Sequence, residues 1–154
     1  MSSSSIHAPA SAPRHLADRA HFAHLYLDDR ALVDAVDEYI GGALASGASA
    51  IVLATADHRA AFEARWRAAG LDLGDMGAHG RYLALDAHDV LARILVDGVP
   101  DRERFFAVFE PIVVEAGRQG NRVVIFGELA GVLWRNAAHE AAWRVETFWN
   151  DLAR

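Results

Sequence analysis

A carboxylate stands where an apolar strand should leave its sheet. Val123-Val124-Ile125-Phe126 is a short β-branched and aromatic run, apolar on both faces as a central parallel strand must be, and Gly127-Glu128 follows it. In open α/β sheets ligands sit beyond the strand C-termini, so Glu128 can bind a ligand or hold Mg²⁺ through water as a leftover strand-end acid. The plain alternative is an acid favoured by the dipole of the following helix. His24 and Tyr26, two residues apart, share one face of an expected first strand over 21–27 and bring an imidazole and a phenol. His21 falls on the other face, which makes His-x-x-His a poor metal pair. Thr55, His58 and Arg59 follow a second strand, where the planar fork of Arg59 suits an anionic group, although a solvent-facing first turn fits the same residues. Asp86 ends a third strand and also suits a helix cap. With Phe126 and Trp134 as apolar wall, these residues form the expected ligand site: His24, Tyr26, Thr55, His58, Arg59, Asp86, Phe126, Glu128 and Trp134. No catalytic triad and no metal set has the required spacing, Gly-x-Ser-x-Gly is absent, and no cofactor is indicated.

The elements that must position these groups alternate. The strand over 21–27 leads to Asp28 and Asp29 as an N-cap signal. The helix that follows carries Leu32, Val33, Val36, Ile40, Ala43 and Leu44 on one face and stops at Gly47. Ala50–Thr55 reads as a buried strand, then a helix capped by Thr55 or Asp57 buries Phe62, Trp66 and Ala69. The four glycines of residues 70–80 predict a loop. Tyr82–Leu85 is the third strand, and Asp86 with Asp89 opens a helix running through Leu95. Asp97-Gly98-Val99-Pro100-Asp101 is a turn, and a long helix from Arg102 carries Pro111, where a kink is expected. After Glu128 come a helix to about Asn136 and a last one with a stripe at Ala138, Ala141, Ala142, Val145, Phe148, Trp149 and Leu152. Trp143 lies off that stripe, on what should be the wet side, and predicts an interface residue of a twofold dimer. Strands alternating with helices specify an α/β sandwich with a mainly parallel sheet of at least four strands.

Composition narrows the function. The chain has 154 residues and no cysteine, and its fifteen basic residues are all arginine. Thiolate metal sites, cysteine nucleophiles, Schiff bases and the lysine of a phosphate-binding loop are therefore excluded. A net charge of −6 with both signs interspersed argues against a nucleic-acid surface. Residues 1–18, opening MSSSSIHAPASAPR, read as a disordered tail and 19–154 as one domain. Neither a signal peptide nor a membrane span is legible, so the expected location is cytoplasmic.

Six stretches in order carry a resemblance: His21-Phe-Ala-His-Leu-Tyr26, Ala54-Thr-Ala-Asp-His-Arg59, Gly80-Arg-Tyr-Leu-Ala-Leu-Asp86, Val96-Asp-Gly-Val-Pro-Asp101, Phe126-Gly-Glu128 with Leu133-Trp134, and Phe148-Trp-Asn-Asp-Leu152. Together they resemble the MEDS domain, the sensory domain of regulators in methanogens and methylotrophs. Leu129 stands where that family often has Met. The resemblance implies a three-layer RecA- or KaiC-like sandwich without the Walker A loop, and a kinase or transcription regulator as partner. At the phosphate position the acids Asp28 and Asp29 would repel ATP. The expected function is thus a non-catalytic sensory domain that binds a small molecule and relays it to a signalling or transcriptional partner. Two alternatives remain open: a protein-interaction module with no small ligand, and a residual hydrolase or transferase using Glu128 and a histidine.

Overall fold

The computed structural model describes residues 28–118 and 121–154. The expected first strand, with His21, His24 and Tyr26, and the tail before it lie outside the described residues.

Six apolar or small residues with no polar interruption longer than Ser49 make β1, Ser49–Ala54, and every one of them is buried. It pairs in parallel with β2, Tyr82–Asp86, on one side and β5, Val123–Gly127, on the other. Among the described strands the order is β2-β1-β5, so the central strand is β1 and not Val123–Phe126 as its composition suggested. The physical difference is visible in burial. β5 buries only Val124 fully, whereas β1 has a strand on each side and helices on both faces.

Alternation along β1 divides the core. Ala50, Val52 and Ala54 face a cluster containing Leu32, Val36, Ile40, Leu44, Phe62 and Trp66. These come from α1, Asp29–Val36, a π-helical turn, Asp37–Gly41, α2, Gly42–Ala45, and α3, Ala56–Ala68. Leu53 points the other way, to α5, Ala87–Ile94, α6, Arg102–Gly117, α7, Leu129–Arg135, and α8, His139–Leu152. There Phe105, Phe109 and Trp149 form one aromatic cluster, with ring centroids 4.5 to 4.9 Å apart. The result is a mixed α/β fold in which a three-stranded parallel sheet is flanked by helices.

Several local expectations need correction. Residues 70–80 are not all loop, because Asp72 accepts from the Asp75 N–H at 2.9 Å and starts a short helix, α4, Leu73–Ala78, that buries Leu73. Ala69 is exposed at the end of α3. The α5 helix stops at Ile94. Leu95–Val96 (β3) and Val99–Pro100 (β4) then pair as a hairpin, with Asp97 at φ 49° and Gly98 at φ 78° in the turn. Both central residues at positive φ match the strand twist of a two-residue hairpin, the usual use of Asp-Gly. The α6 helix continues across Pro111 as one element.

The π turn has a packing reason. A methyl group on Gly41 would sit 2.6 Å from Trp66 Nε1 and 2.7 Å from Asp37 Oδ1, so the fully buried indole needs glycine there. Trp66 Nε1 has no hydrogen-bond partner among the described residues. Arg81 ties the end of α2 down by donating to the Leu44 and Ala48 carbonyls at 3.0 and 3.4 Å.

Candidate functional site

Parallel pairing brings strand ends together, as expected from the pattern. Leu53 is opposite Gly127 and Ala54 opposite Asp86, so Thr55, Ala87 and Glu128 leave the sheet at one edge. The Glu128 N–H donates to the Leu53 carbonyl at 2.9 Å, which extends the ladder by one residue and fixes the backbone of the acid.

Glu128 occupies the N-cap position of α7, but its side chain makes no cap bond. It turns inward instead and is 6% exposed. Oε2 accepts the Thr55 N–H at 3.0 Å. Oε1 lies 2.7 Å from His58 Nδ1 and accepts from Arg135 Nη2 at 3.0 Å. The other ring nitrogen, His58 Nε2, is 3.2 Å from Asp29 Oδ1. Carboxylates only accept, so the imidazolium satisfies both acids and the neutral ring one. The ring also stacks on Phe62, 6.2 Å between centroids. A chain of polar contacts therefore runs from the first turn of α1 through the start of α3 and the end of β5 to the end of α7.

The other sequence-selected residues separate. Asp86 caps α5, accepting from the His88 and Asp89 N–H groups at 2.9 and 3.2 Å. Arg59 follows His58 in the first turn of α3 and acts electrostatically on Tyr82. Phe126 packs edge-on against Phe62, 5.4 Å between centroids. Trp134 is 59% exposed, and its ring lies tilted against that of His139, 4.2 Å between centroids. The division between the last tryptophans holds, with Trp149 buried and Trp143 69% exposed. Thr55 is the N-cap of α3 by position, but its hydroxyl makes no cap bond.

Asp29 and Arg135 were missed by sequence reasoning. Asp28 does the capping, accepting from the Ala31 N–H at 2.8 Å, which frees the adjacent acid to reach His58. Two neighbouring acids where one cap suffices were the available signal. Arg135 lies seven residues beyond Glu128, two helical turns, and so returns to the same side. Nearby, the Tyr82 hydroxyl donates to Glu63 at 2.9 Å, and burial followed by that hydrogen bond pushes the phenol well above its ordinary range. Among the described residues no cluster of acids and histidines could hold a metal ion, and no helix is long and apolar enough to cross a membrane.

A three-stranded parallel sheet flanked by helices, with a buried acid at its C-terminal edge, defines an α/β domain. The family is narrower than that. The model of MEDS, the MEthanogen/methylotroph, DcmR Sensory domain, matches residues 20–154, and the chain belongs to this family of sensory domains. No curated protein and no solved structure matches it.

Proposed function

We propose that this sensory domain binds a small molecule bearing a cationic or hydrogen-bond-donating group at the edge formed by Thr55, His58 and Glu128. One observation carries the reading: a carboxylate that is almost fully buried is paired at 3.0 Å with Arg135, whose own side chain is 56% exposed. Burying an ion gains little stability compared with apolar packing, so a buried acid with an exposed partner suits recognition better than it suits folding. A donor on the ligand replaces the guanidinium at Oε1. The change passes through His58 to Asp29 and so to α1, and from there to a kinase or transcription regulator. The reading is non-catalytic and keeps the RecA-like descent without ATP: Asp28 and Asp29 place negative charge at the head of α1, where phosphates would have to lie.

The test is native mass spectrometry of the purified chain for a retained compound. Glu128→Gln is expected to lose it while melting within a few degrees of the parent, since Gln keeps an acceptor for Thr55. Retention of the compound by Glu128→Gln sinks the reading. A second reading, a module that regulates a kinase or transcription factor without a small ligand, is favoured by the burial of Glu128 against Arg135 and by the exposure of Trp143.

A further inference from the structure

The hairpin Leu95–Pro100 stands against α8, and between them lies an open groove of about 590 Å³ whose walls include Val96, Val99, Pro100 and Phe148. A smaller hollow of about 290 Å³ continues from it and shares Val99, Pro100 and Arg144. None of the groups that contact Glu128 lines either space.

The charges at the groove are unequally engaged. Asp101 caps α6 by accepting from the Arg104 N–H at 2.9 Å. Arg102 is held by Asp151 at 2.5 Å and lies over the Phe106 ring, 4.5 Å from its centroid. Arg144 differs. Its closest acid among the described residues is Glu140 at 3.8 Å, itself 93% exposed, and such loose pairs contribute little and yield readily. The groove therefore offers apolar walls and one loosely paired guanidinium, with its acid, Asp101, engaged at the head of α6. Its volume falls within the range of small-molecule sites, roughly 300 to 1,000 Å³.

We propose that this groove is a second binding site, selective for an amphipathic organic anion such as a medium-chain carboxylate. The carboxylate pairs with Arg144 in the planar geometry that guanidinium favours, and the chain lies along Val96, Val99 and Phe148. An alkylammonium of the same length meets two arginines, while Asp101 is engaged as the α6 cap and Glu140 stands beside Arg144, so the expected preference is for the anion. A simple alcohol gains the apolar contacts alone.

Sodium octanoate, octanol and octylammonium chloride serve as probes, titrated against the full chain by heteronuclear NMR. Octanoate is expected to move the amides of residues 96–99 and 139–148 and to bind at least about tenfold more weakly to Arg144→Gln, the loss that follows from one charge-assisted hydrogen bond. Val99→Asp, which brings an acid into the groove, weakens it further, while Arg118→Gln, a distant arginine removed, retains parental affinity. Thermal melts show that each variant is folded. Equal octanoate binding by Arg144→Gln, no binding at millimolar concentration, or a preference for octylammonium overturns the proposal. A concentration-dependent dimer that Val99→Asp disperses overturns it too, assigning the groove to a second copy. The Glu128 site is unaffected by any of these results, because its own test reads a different residue.

Discussion

At the sheet edge a single carboxylate meets three partners, two at the start of α3 and one at the end of α7, while on the hairpin side an arginine faces a groove with one loose partner. The edge is closed and electrostatically complete; the hairpin face is open and incomplete. The difference separates two uses of charge. Buried and fully paired groups fix the relative placement of the elements that hold them, and removing one partner leaves the others desolvated. Exposed and weakly paired groups contribute little to folding and are available to a ligand. Mutations should therefore cost stability at the edge, where the ligand's contact is also a structural one, and little of it on the hairpin face.

The largest effect is expected at the edge. Glu128→Ala leaves the Thr55 N–H, His58 and Arg135 without their acceptor and should cost about 3 kcal/mol in urea unfolding. A loss below about 1 kcal/mol would mean that the edge is not the closed structure described and would erase the contrast. Next comes Gly41→Ala, which drives a methyl into the Trp66 ring. About 2 to 3 kcal/mol of overpacking cost is expected, measured the same way. A double-mutant cycle between His58→Ala and Glu128→Gln sharpens the comparison further. Their contact at 2.7 Å should couple by about 1 to 2 kcal/mol, and additive losses would show that the histidine merely lies nearby. On the hairpin side, Arg144→Gln and Trp143→Ala should each change stability by less than about 0.5 kcal/mol. If the homodimer reading holds, light scattering returns a dimer mass that Trp143→Ala reduces to a monomer.

Calorimetry with Mg-ATP tests the empty-handed side of the edge. No heat is expected, and a dissociation constant in the low micromolar range would undo the account of Asp28 and Asp29. The smallest effect concerns Tyr82. Its folded phenol titrates above the unfolded one, so its contribution is complete below about pH 10 and is lost as pH rises past that point. With no lysine and no cysteine in the chain, little besides tyrosine titrates in that window, and Tyr82→Phe should flatten the slope of unfolding free energy against pH.

What was legible in the sequence follows from periodicity. The buried faces at Leu32, Val36 and Ile40, the buried run Ala50–Ala54 and the stripe at Ala142, Val145 and Phe148 all declare themselves by spacing. Strand rank does not. Val123–Phe126 and Ala50–Ala54 are both apolar runs, and only pairing decides which lies in the middle. At the candidate site the acid and its edge were readable because parallel strands end together. Of its neighbours Thr55 and His58 were legible from the strand end, but Asp29 and Arg135 were not, since the contacts join side chains from three separate helices and no local pattern encodes such a meeting. Trp134, six residues beyond the acid, is largely exposed on α7, an orientation that its residue type does not announce.

The π turn at Asp37–Gly41 sets a phase between the two ends of the rod Asp29–Ala45. Leu32, Val36, Ile40 and Leu44 recur every four residues, and in a regular helix of 3.6 residues per turn each step would drift about 40°, leaving the first and last about 120° apart. The wider turn takes up most of that drift and keeps all four on one side. Asp29 is aimed at His58 by the same setting. Deleting one residue from the turn would rotate the head of the rod by about 100° against its tail, carrying Asp29 off the histidine with every residue of the edge itself intact. The indole of Trp66, pressed against Gly41, thereby acts as the stop that times a contact at the far end of the helix.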